Sequence, residues 1–386
     1  MLAGILLGLS ALAALYILAG YPLLLSRVRW HTAAPVHKDL NYKPSVSVIV
    51  AVHNGQEFVR AKIQYLLGLE YPLELMEILV VSDGSTDATD SIVESFPAPQ
   101  VRLVRVPRGG KAAALNAGLQ RATGEVVFFT DVRQPLHPAA LAHLVANLAD
   151  PTVGAATGEL RILSTERTGE QADLDLYWRY ELWARRQHSG IYSIFGATGC
   201  IYVVRKALAT AIPADTLSDD VYIPLRVFLA GYRVVFEPEA VAFDYPTAPG
   251  GEFRRKLRTL AGVWQVHLRL PKLFTSGNRM RLHFLSHKFG RLVLPWVILL
   301  GLGATLALPA SPTRTFLLLD ELALVILATL DLLLPRRFPL KRLTSPARTF
   351  VAMNAASLLS IAALLVPPEV LWRPTLVRRG TGPPLR

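Results

Sequence analysis

Two acidic residues that directly follow apolar stretches are best placed to do chemistry. The stretch "EILVVSDGSTD" (Glu77–Asp87) places Asp83, and "EVVFFTDVRQP" (Glu125–Pro135) places Asp131. Ligands of an open parallel sheet bind beyond the carboxyl ends of its strands, so we expect both carboxylates to face one crevice. A carboxylate after an apolar run must be solvated, hydrogen-bonded or metal-bound. Hard divalent cations prefer such oxygen ligands and bridge them to phosphates, which makes Asp131 a candidate metal ligand.

A second acidic pair, Asp219 and Asp220, lies further along the chain. Adjacent carboxylates in a closed site are not both ionised unless a cation or a donor lies near them. One of the two is therefore a candidate general base, provided that it lies near an acceptor hydroxyl. The alternative is an acidic N-terminus for a helix that begins at Val221.

Basic residues could complete such a site. Lys111 lies in "RGGKAAALNAG", a glycine-led turn that opens a helix, where a cation can meet phosphate or a base carbonyl; a solvated lysine is the alternative. Arg255 and Arg258, next to Arg254, share a helix face, and their guanidinium groups suit phosphate oxygens or lipid headgroups. Asp83 alone also fits a helix-capping turn. The nine histidines show no metal-ligand spacing.

The elements that must position these residues alternate between strand and helix from residue 45 to about 159. Strands are predicted at "SVSVIVAV", "EILVVS", Val101–Val106 and "EVVFFT", and helices at Gln56–Leu69, Thr86–Ser95, Lys111–Arg121 and Pro138–Leu148. This alternation predicts an α/β fold with a mainly parallel sheet and helices on both faces. Beyond residue 159 we predict a helix at Asp173–His188, a turn and strand at "GATGCIYVV", a helix at Val221–Ala230 and a strand pair at Arg233–Tyr245.

The apolar excess of the chain, 52% of its 386 residues, is concentrated at the two ends. Leu2–Ser26 carries no charge and is long enough to cross a bilayer. A signal peptide would have basic residues ahead of its apolar core, whereas Arg27 follows it, so a retained helix is favoured. Further apolar stretches are Leu292–Pro309, Thr315–Leu334 and Phe350–Pro367. The second of these contains three acids, which indicates packing inside a bundle or at the interface.

Positive charge indicates how the chain meets the membrane. Basic residues flank the apolar stretches on the side of the central region, which places that region in the cytoplasm. A four-span count puts the basic tail 369–386 outside, whereas a non-spanning third segment puts it inside. Residues 253–291 contain ten Lys or Arg and no acid, which favours an amphipathic helix on an anionic membrane surface over a nucleic-acid patch. The single cysteine, Cys200, excludes an intrachain disulfide and suits a cytosolic domain.

Six motifs in order resemble the family 2 glycosyltransferases, and among them the membrane-integrated synthases of cellulose, hyaluronan and poly-N-acetylglucosamine. The resemblance covers residues 45–265 and is carried by "VSVIVAVHNGQEF", "VVSDGSTD", "GGKAAALNAG", "FFTDVRQ", "LSDD" and "RRKLR". It implies a GT-A fold with membrane helices at both ends of the chain. It also implies a nucleotide-diphosphate sugar donor, with a UDP-sugar favoured, Mg²⁺ or Mn²⁺, and a single inverting displacement.

The resemblance also implies roles for individual residues. Asn54, Asp83 and Lys111 would bind the nucleotide, and Asp131 the metal and diphosphate. Asp220, with Asp219 beside it, would take the acceptor proton, and Arg255 and Arg258 would steady the leaving diphosphate. The acceptor would meet Gly196, Gly199 and the face of Trp178, for which core packing is the alternative.

The chain departs from the family pattern at several positions. Arg133 replaces the second acid of the Asp-x-Asp motif, and Thr259 stands where tryptophan is usual, with Trp264 more than a turn later. Ala51 and Gly55 replace the common proline and glutamate of the first turn. The tryptophan that Thr259 replaces contacts the acceptor in processive members of the family. Both polysaccharide extension and single-sugar transfer to a lipid acceptor therefore stay open, with an inactive membrane scaffold as a third reading.

The predicted organisation has five parts. They are an N-terminal membrane helix (1–26), a GT-A domain (45–250), a basic interfacial segment (251–290), a C-terminal region of two to three spans (291–368) and the basic tail (369–386). The partners expected are the donor, a glycan or lipid acceptor and membrane lipids, with no nucleic acid. The expected location is a bacterial inner membrane with the catalytic domain in the cytoplasm.

Overall fold

The structure is a computed structural model that describes residues 1–32, 34–163, 169–245, 251–335 and 338–366. The predicted basic tail, 369–386, lies outside the described residues.

A seven-stranded sheet forms the centre of the α/β domain. Its strands are β1 (Val46–Val52), β2 (Met76–Asp83), β3 (Val101–Val106), β4 (Val126–Phe129), β5 (Val153–Ile162), β6 (Tyr202–Arg205) and β7 (Arg233–Asp244). They lie in the order β3-β2-β1-β4-β6-β5-β7. Strands β3, β2, β1 and β4 run parallel, β6 is antiparallel to both its neighbours, and β5 pairs with β7 in parallel. The predicted mainly parallel α/β sheet is confirmed.

Helices cover both faces of this sheet, because its central strands are apolar on both sides and must be buried on both. The helices are α3 (Val59–Leu67), α4 (Thr89–Glu94), α5 (Gly110–Arg121), α6 (Ala140–Ala146), α7 (Gly169–Ile191), α8 (Asp219–Leu229) and α9 (Gly251–Arg269). One core includes Ile49, Leu79 and Phe129 beneath α5 and α8, and the other includes Val48, Ile78 and Phe128 beneath α3 and α6. The sheet is thus a rigid platform whose strand ends can hold a site.

Two sequence expectations about the second half of the domain need correction. The segment predicted as a strand pair at Arg233–Tyr245 is one long strand, β7. It pairs with β5, a ten-residue strand that the sequence analysis did not identify. The pairing of β5 with β7 joins distant segments, and the alternation of residue types within each segment does not encode it.

The ends of the chain form long apolar helices. They are α1 (Leu2–Leu15), joined by a π-helical turn to α2 (Tyr21–Thr32), then α10 (Arg281–His283), α11 (Gly290–Leu306), α12 (Pro312–Leu333) and α13 (Lys341–Ser360). Among the described residues, three helical stretches are long and apolar enough to cross a membrane: Leu2–Val28, Arg281–Leu306 and Lys341–Leu365.

Helix α12, which corresponds to the third apolar stretch of the sequence, is not one of those three. Its acid Asp331 is fully buried, accepts hydrogen bonds from Thr344 and Ser345 and lies 3.1 Å from the Lys341 ammonium of α13. A buried carboxylate needs such partners. This acid therefore ties α12 to α13.

The end of α13 returns to the sheet domain. The Ser357 hydroxyl donates to the carbonyl of Leu292, at the start of α11, over 2.9 Å. Just beyond α13, Ala363 lies in one small buried cluster with Ala261 of α9 and with Leu217. Leu217 lies two residues before Asp219, so this cluster joins the C-terminal helix and α9 to the segment that carries the acidic pair.

Candidate active site

The ammonium of Lys111 lies among the carboxylates that the sequence singled out. Its Nζ is 2.9 Å from Oδ1 of Asp131, at the end of β4, and 3.1 Å from Oδ1 of Asp219, at the start of α8. The Asp131 side chain is 38% exposed at the mouth of the cleft, whereas that of Asp219 is 8% exposed. The structure thus brings together Lys111, Asp131, Asp219 and the adjacent Asp220.

Burial and like charge set the protonation of this cluster. Burial would lower the pKa of Lys111, but Asp131, Asp219 and Asp220 outweigh it and hold that pKa well above its usual range. Burial, and next the charge of Asp219, raise the pKa of Asp220 from 3.8 to about 7, against the opposing charge of Lys111. A carboxylate that titrates near neutral pH can accept a proton in the course of a reaction.

A buried lysine supports Asp131 from below. Lys62 of α3 is 1% exposed and donates to the hydroxyl of Thr130 over 2.6 Å and to the carbonyl of Gln134 over 2.8 Å. Burial lowers its pKa to about 8. These bonds fix the residues on both sides of Asp131. The sequence analysis missed Lys62, although it falls on the same helix face as the apolar residues Val59, Ile63 and Leu66.

The acidic pair is held at the first turn of α8. The hydroxyl of Tyr202 in β6 donates to Oδ2 of Asp219 over 3.3 Å, and its ring stacks on Phe129 of β4 at 4.8 Å between centroids. The carboxylates lie at the positive end of the helix dipole. The two acids therefore lie at the N-terminus of a helix, as the alternative prediction stated, although this helix begins at Asp219 and not at Val221. The same turn faces Lys111.

The glycine-rich loop before β6 passes close to Asp220. A Cβ atom on Gly199 would lie 3.0 Å from Oδ2 of Asp220. The N–H of Ala197 donates to the carbonyl of Asp220 over 2.7 Å, and Gly196 has a φ of +143°. The small residues therefore let this loop pack directly against the carboxylate, at the place where the resemblance implies an acceptor.

Asp83 and Asn54 lie at the ends of β2 and β1 and shape the turns there. Asp83 accepts the N–H of Gly109 over 2.7 Å and of Gly110 over 3.0 Å, and it also forms an ion pair with Arg108. Oδ1 of Asn54, whose φ is +50°, accepts the N–H of Thr86 over 2.8 Å. Asp83 is buried, so it orders the loop that leads to Lys111. The sequence analysis missed Arg108, although it opens the same glycine turn.

The basic residues of the site come from two elements. Arg133, which replaces the second acid of the motif, lies 2.6 Å from Oδ2 of Asp244 at the end of β7. Burial lowers the pKa of Arg258 on α9, as does Arg255, while the charges of Asp220 and Asp131 oppose this. Arg258 is therefore within electrostatic reach of the acid cluster, on the cleft side of α9.

Two tryptophans serve packing in this structure. Trp264 lies edge-on to Phe289 and to Trp296 of α11, at 6.1 and 5.8 Å between centroids. It therefore packs towards the membrane helices and does not substitute for the tryptophan that Thr259 replaces. The indole N–H of Trp178 donates to the carbonyl of Leu160 in β5 over 3.2 Å, which holds this side chain against the sheet.

A separate acidic group lies away from the strand ends. His143, Glu237 and Glu239 are close enough together to hold a metal ion, which the spacing of histidines in the sequence did not indicate. The ammonium of Lys38 lies 2.7 Å from Glu237 and supplies positive charge there. We assign no function to this group.

Comparison with known proteins agrees with this geometry. Residues 47–212 match the family described as Glycosyl transferase family 2. The chain is 26% identical over 259 residues to the probable glycosyltransferase YdaM of Bacillus subtilis (strain 168), which covers 64% of this chain and 62% of YdaM, less than two thirds of that relative. It is 24% identical over 286 residues to the poly-beta-1,6-N-acetyl-D-glucosamine synthase of Staphylococcus aureus (strain COL), covering 69% of this chain and 68% of the synthase.

A solved structure matches almost the whole fold. The mannosyltransferase PcManGT of Pyrobaculum calidifontis, in complex with GDP-Man and Mn²⁺, superposes with a TM-score of 0.74 at 24% identity and covers 94% of this chain and 99% of PcManGT. This likeness shows the fold. The chain therefore has a GT-A fold, and its residues 47–212, which include Lys111 and Asp131, match the family described as Glycosyl transferase family 2.

Proposed function

We propose that the protein transfers a sugar, with inversion, from a nucleotide-diphosphate sugar to the hydroxyl of a growing glycan at the membrane surface. The observation that carries this proposal is the cluster of Asp131, Asp219 and Asp220 around Lys111 at the carboxyl ends of the strands. Such a cluster can bind a charged diphosphate on one side and deprotonate a hydroxyl on the other.

Asp220 is the proposed general base. Its pKa of about 7 lets it take the acceptor proton near neutral pH while remaining largely ionised above that value. Gly199 packs directly against this carboxylate, so the acceptor sugar would approach Asp220 from the cleft. A hydroxyl activated there would attack the anomeric carbon as the bond to the diphosphate breaks, which inverts the configuration.

Asp131 is the proposed residue for the Mg²⁺ or Mn²⁺ ion and the donor diphosphate. The site fits a divalent cation, because Asp131 and Asp219 already hold a cationic group, the Lys111 ammonium, between them. A bound ion would neutralise the phosphate charge that grows on the leaving group. Arg133 stands where the motif has its second acid, and it pairs with Asp244. Asp131 is therefore the acid of this motif that would hold the ion.

Arg255 and Arg258 are proposed to steady the departing nucleoside diphosphate. Both lie on α9, whose side towards the cleft brings Arg258 under the influence of Asp131 and Asp220. Guanidinium groups match phosphate oxygens with two parallel hydrogen bonds. Their charge would matter most in the transition state, where negative charge accumulates on the diphosphate.

Two acceptors are supported by different observations. The similarity to poly-beta-1,6-N-acetyl-D-glucosamine synthase supports extension of a polysaccharide. Transfer of one sugar to a lipid acceptor is supported by Thr259, which is exposed, and by Trp264, which packs on α11 instead of lining the cleft. We keep polymer extension as the leading proposal, with the lipid acceptor as the second candidate.

The membrane arrangement is proposed from the helices and their charges. The N-terminal and C-terminal helices would anchor the enzyme, with α9 at an anionic cytoplasmic surface. The buried cluster of Leu217, Ala261 and Ala363 supports a C-terminal helix that ends on the catalytic side, and the positive-inside rule then favours a basic tail on the cytoplasmic side.

Nucleotide release by the purified protein tests the function. UDP- and GDP-sugars are screened with Mg²⁺ or Mn²⁺ in the presence of membrane lipid, alongside Asp220→Asn and the exposed control Asp215→Asn. We expect release with one donor, retained in Asp215→Asn and lost in Asp220→Asn. Release that persists in Asp220→Asn contradicts the assignment of the base. A ladder of products supports polymer extension, and a single lipid adduct supports the second candidate.

A further inference from the structure

The position of the diphosphate determines where the nucleobase of the donor must lie. If the diphosphate meets Asp131 at the end of β4, the nucleoside extends along the strand ends towards β1 and β2. These strands are the next two in the sheet, each about 4.8 Å further on. The base therefore reaches the end of β2, where Asp83 and the loop 108–110 lie.

Asp83 is largely occupied within the protein. Its side chain is 3% exposed. Its oxygens accept the N–H of Gly109 and that of Gly110, which both oxygens share, and they pair with the guanidinium of Arg108. A carboxylate has about four acceptor sites, so these three donors leave about one, on a side chain that is almost fully buried. An N–H of a base, such as N3 of uracil, therefore reaches Asp83 less readily than a ligand reaches the exposed Arg108.

Arg108 is an exposed cation at this end of the sheet. One nitrogen of its guanidinium is anchored on Asp83, while 54% of the side chain is exposed. A guanidinium carries five N–H donors in a planar fork, so donors beyond the anchored nitrogen are open to a ligand. The backbone holds this arrangement tightly: a Cβ on Gly84, whose φ is +60°, would lie 2.9 Å from the amide nitrogen of Arg108.

We infer that Arg108 is the residue that selects the nucleobase and that it favours guanine, an inference that rests on the proposed function. The O6 and N7 atoms of guanine are adjacent acceptors that match the arginine fork with two hydrogen bonds. Uracil offers O2 and O4 on either side of an N–H, so the fork meets one acceptor at a time. Adenine places an amino group beside N7, which opposes a second donor. The donor is therefore a GDP-sugar, in contrast to the UDP-sugar that the family resemblance favours.

Nucleotide binding tests the inference separately from catalysis. The affinities of GDP, UDP, CDP and ADP for the full-length protein in detergent are measured by calorimetry with Mg²⁺ present. A good pair of hydrogen bonds to one base edge corresponds to discrimination of about tenfold or more. We expect GDP to bind at least that much more tightly than UDP, and Arg108→Lys, which keeps the charge but loses the fork, to remove most of the difference.

Controls separate base selection from folding and from the proposed function. Arg105→Lys changes an exposed arginine of β3 that pairs with Asp90 and Glu94, and it should leave the GDP to UDP ratio unchanged. UDP or CDP binding as tightly as GDP, or a ratio unaltered in Arg108→Lys, overturns the inference and leaves the glycosyltransferase proposal standing. If none of the four nucleotides binds to folded protein, the proposed donor class itself fails.

Discussion

Asp220→Asn separates the catalytic role of this carboxylate from its cost to stability. A rise of the Asp220 pKa from 3.8 to about 7 means that the folded protein holds a proton which the unfolded chain has lost between these two values. The stability of the wild type therefore falls as the pH rises through this window, and the full cost is present above pH 7. Asparagine cannot ionise, so the variant escapes this cost.

The size of the effect follows from the pKa. A rise to about 7 corresponds to at most about 4 kcal/mol for ionising Asp220 in the folded state. Asp220 is half-buried, and its charge interacts with those of Asp219 and Lys111, which reduces the effect. We therefore expect the free energy of unfolding of Asp220→Asn to exceed that of the wild type by roughly 1 to 3 kcal/mol at pH 8, and by almost nothing at pH 4. In a chain of this size that is a rise in melting temperature of a few degrees.

The assay is thermal unfolding of both proteins in the same detergent at pH 4, 6 and 8, at one scan rate, together with nucleotide release from pH 5.5 to 8.5. We expect Asp220→Asn to melt above the wild type at pH 8 and to release no nucleotide. The wild-type rate should rise about tenfold per pH unit below 7 and level off above it. Glu74→Gln, at an exposed carboxyl group, should leave melting unchanged. Melting of Asp220→Asn at or below the wild type at pH 8, or a flat pH–rate profile, would refute a base with a raised pKa.

Three other substitutions test the surroundings of the acid cluster. Lys111→Met leaves Asp131 and Asp219 facing each other without a cation, so it should lower the free energy of unfolding by about 2 to 4 kcal/mol, measured by thermal unfolding. Millimolar Mg²⁺ should restore part of this loss. Equal melting temperatures with and without Mg²⁺ would contradict a cation site between these acids. Gly199→Ala places a methyl group 3.0 Å from the Asp220 carboxylate, which must shift, so it should lower the rate of transfer with the fold intact, whereas Gly303→Ala, which meets open space, should not; equal rates would show that the position of this carboxylate does not limit transfer. Lys62→Met removes the hydrogen bonds to Thr130 and Gln134, so it should raise the dissociation constant of the nucleotide diphosphate more than it slows turnover. An unchanged dissociation constant would mean that Lys62 serves packing alone.

The first half of the domain could be predicted because its signals are local. Each of β1, β2 and β4 is an apolar run that ends at a polar turn, and parallel strands bring such turns to one edge. The position of Asp131 at the end of β4 follows from this rule. Its contact with Lys111 does not, because a long flexible side chain can reach either the base end or the phosphate end of the cleft.

The second half depends on contacts between distant segments. Strand β5 pairs with β7 about 80 residues away, and the end of β7 places Asp244 against Arg133. Neither partner reveals the other in the sequence. The buried Lys62 was missed for a related reason, since one charged residue on an apolar helix face gives no indication of the hydroxyl and carbonyl that satisfy it.

The residues just before the acidic pair pack with the helices that are proposed to meet the membrane. Leu217 lies in one small buried cluster with Ala261 of α9 and with Ala363 beyond α13, and the chain turns into the Asp219–Asp220 pair two residues later. Helix α9 also carries Arg258, which lies within the field of the same acids. A shift of α13 or α9 would therefore move the proposed base and the proposed diphosphate ligand together. With these helices at the membrane, as proposed, this coupling would make transfer depend on the lipid around the enzyme.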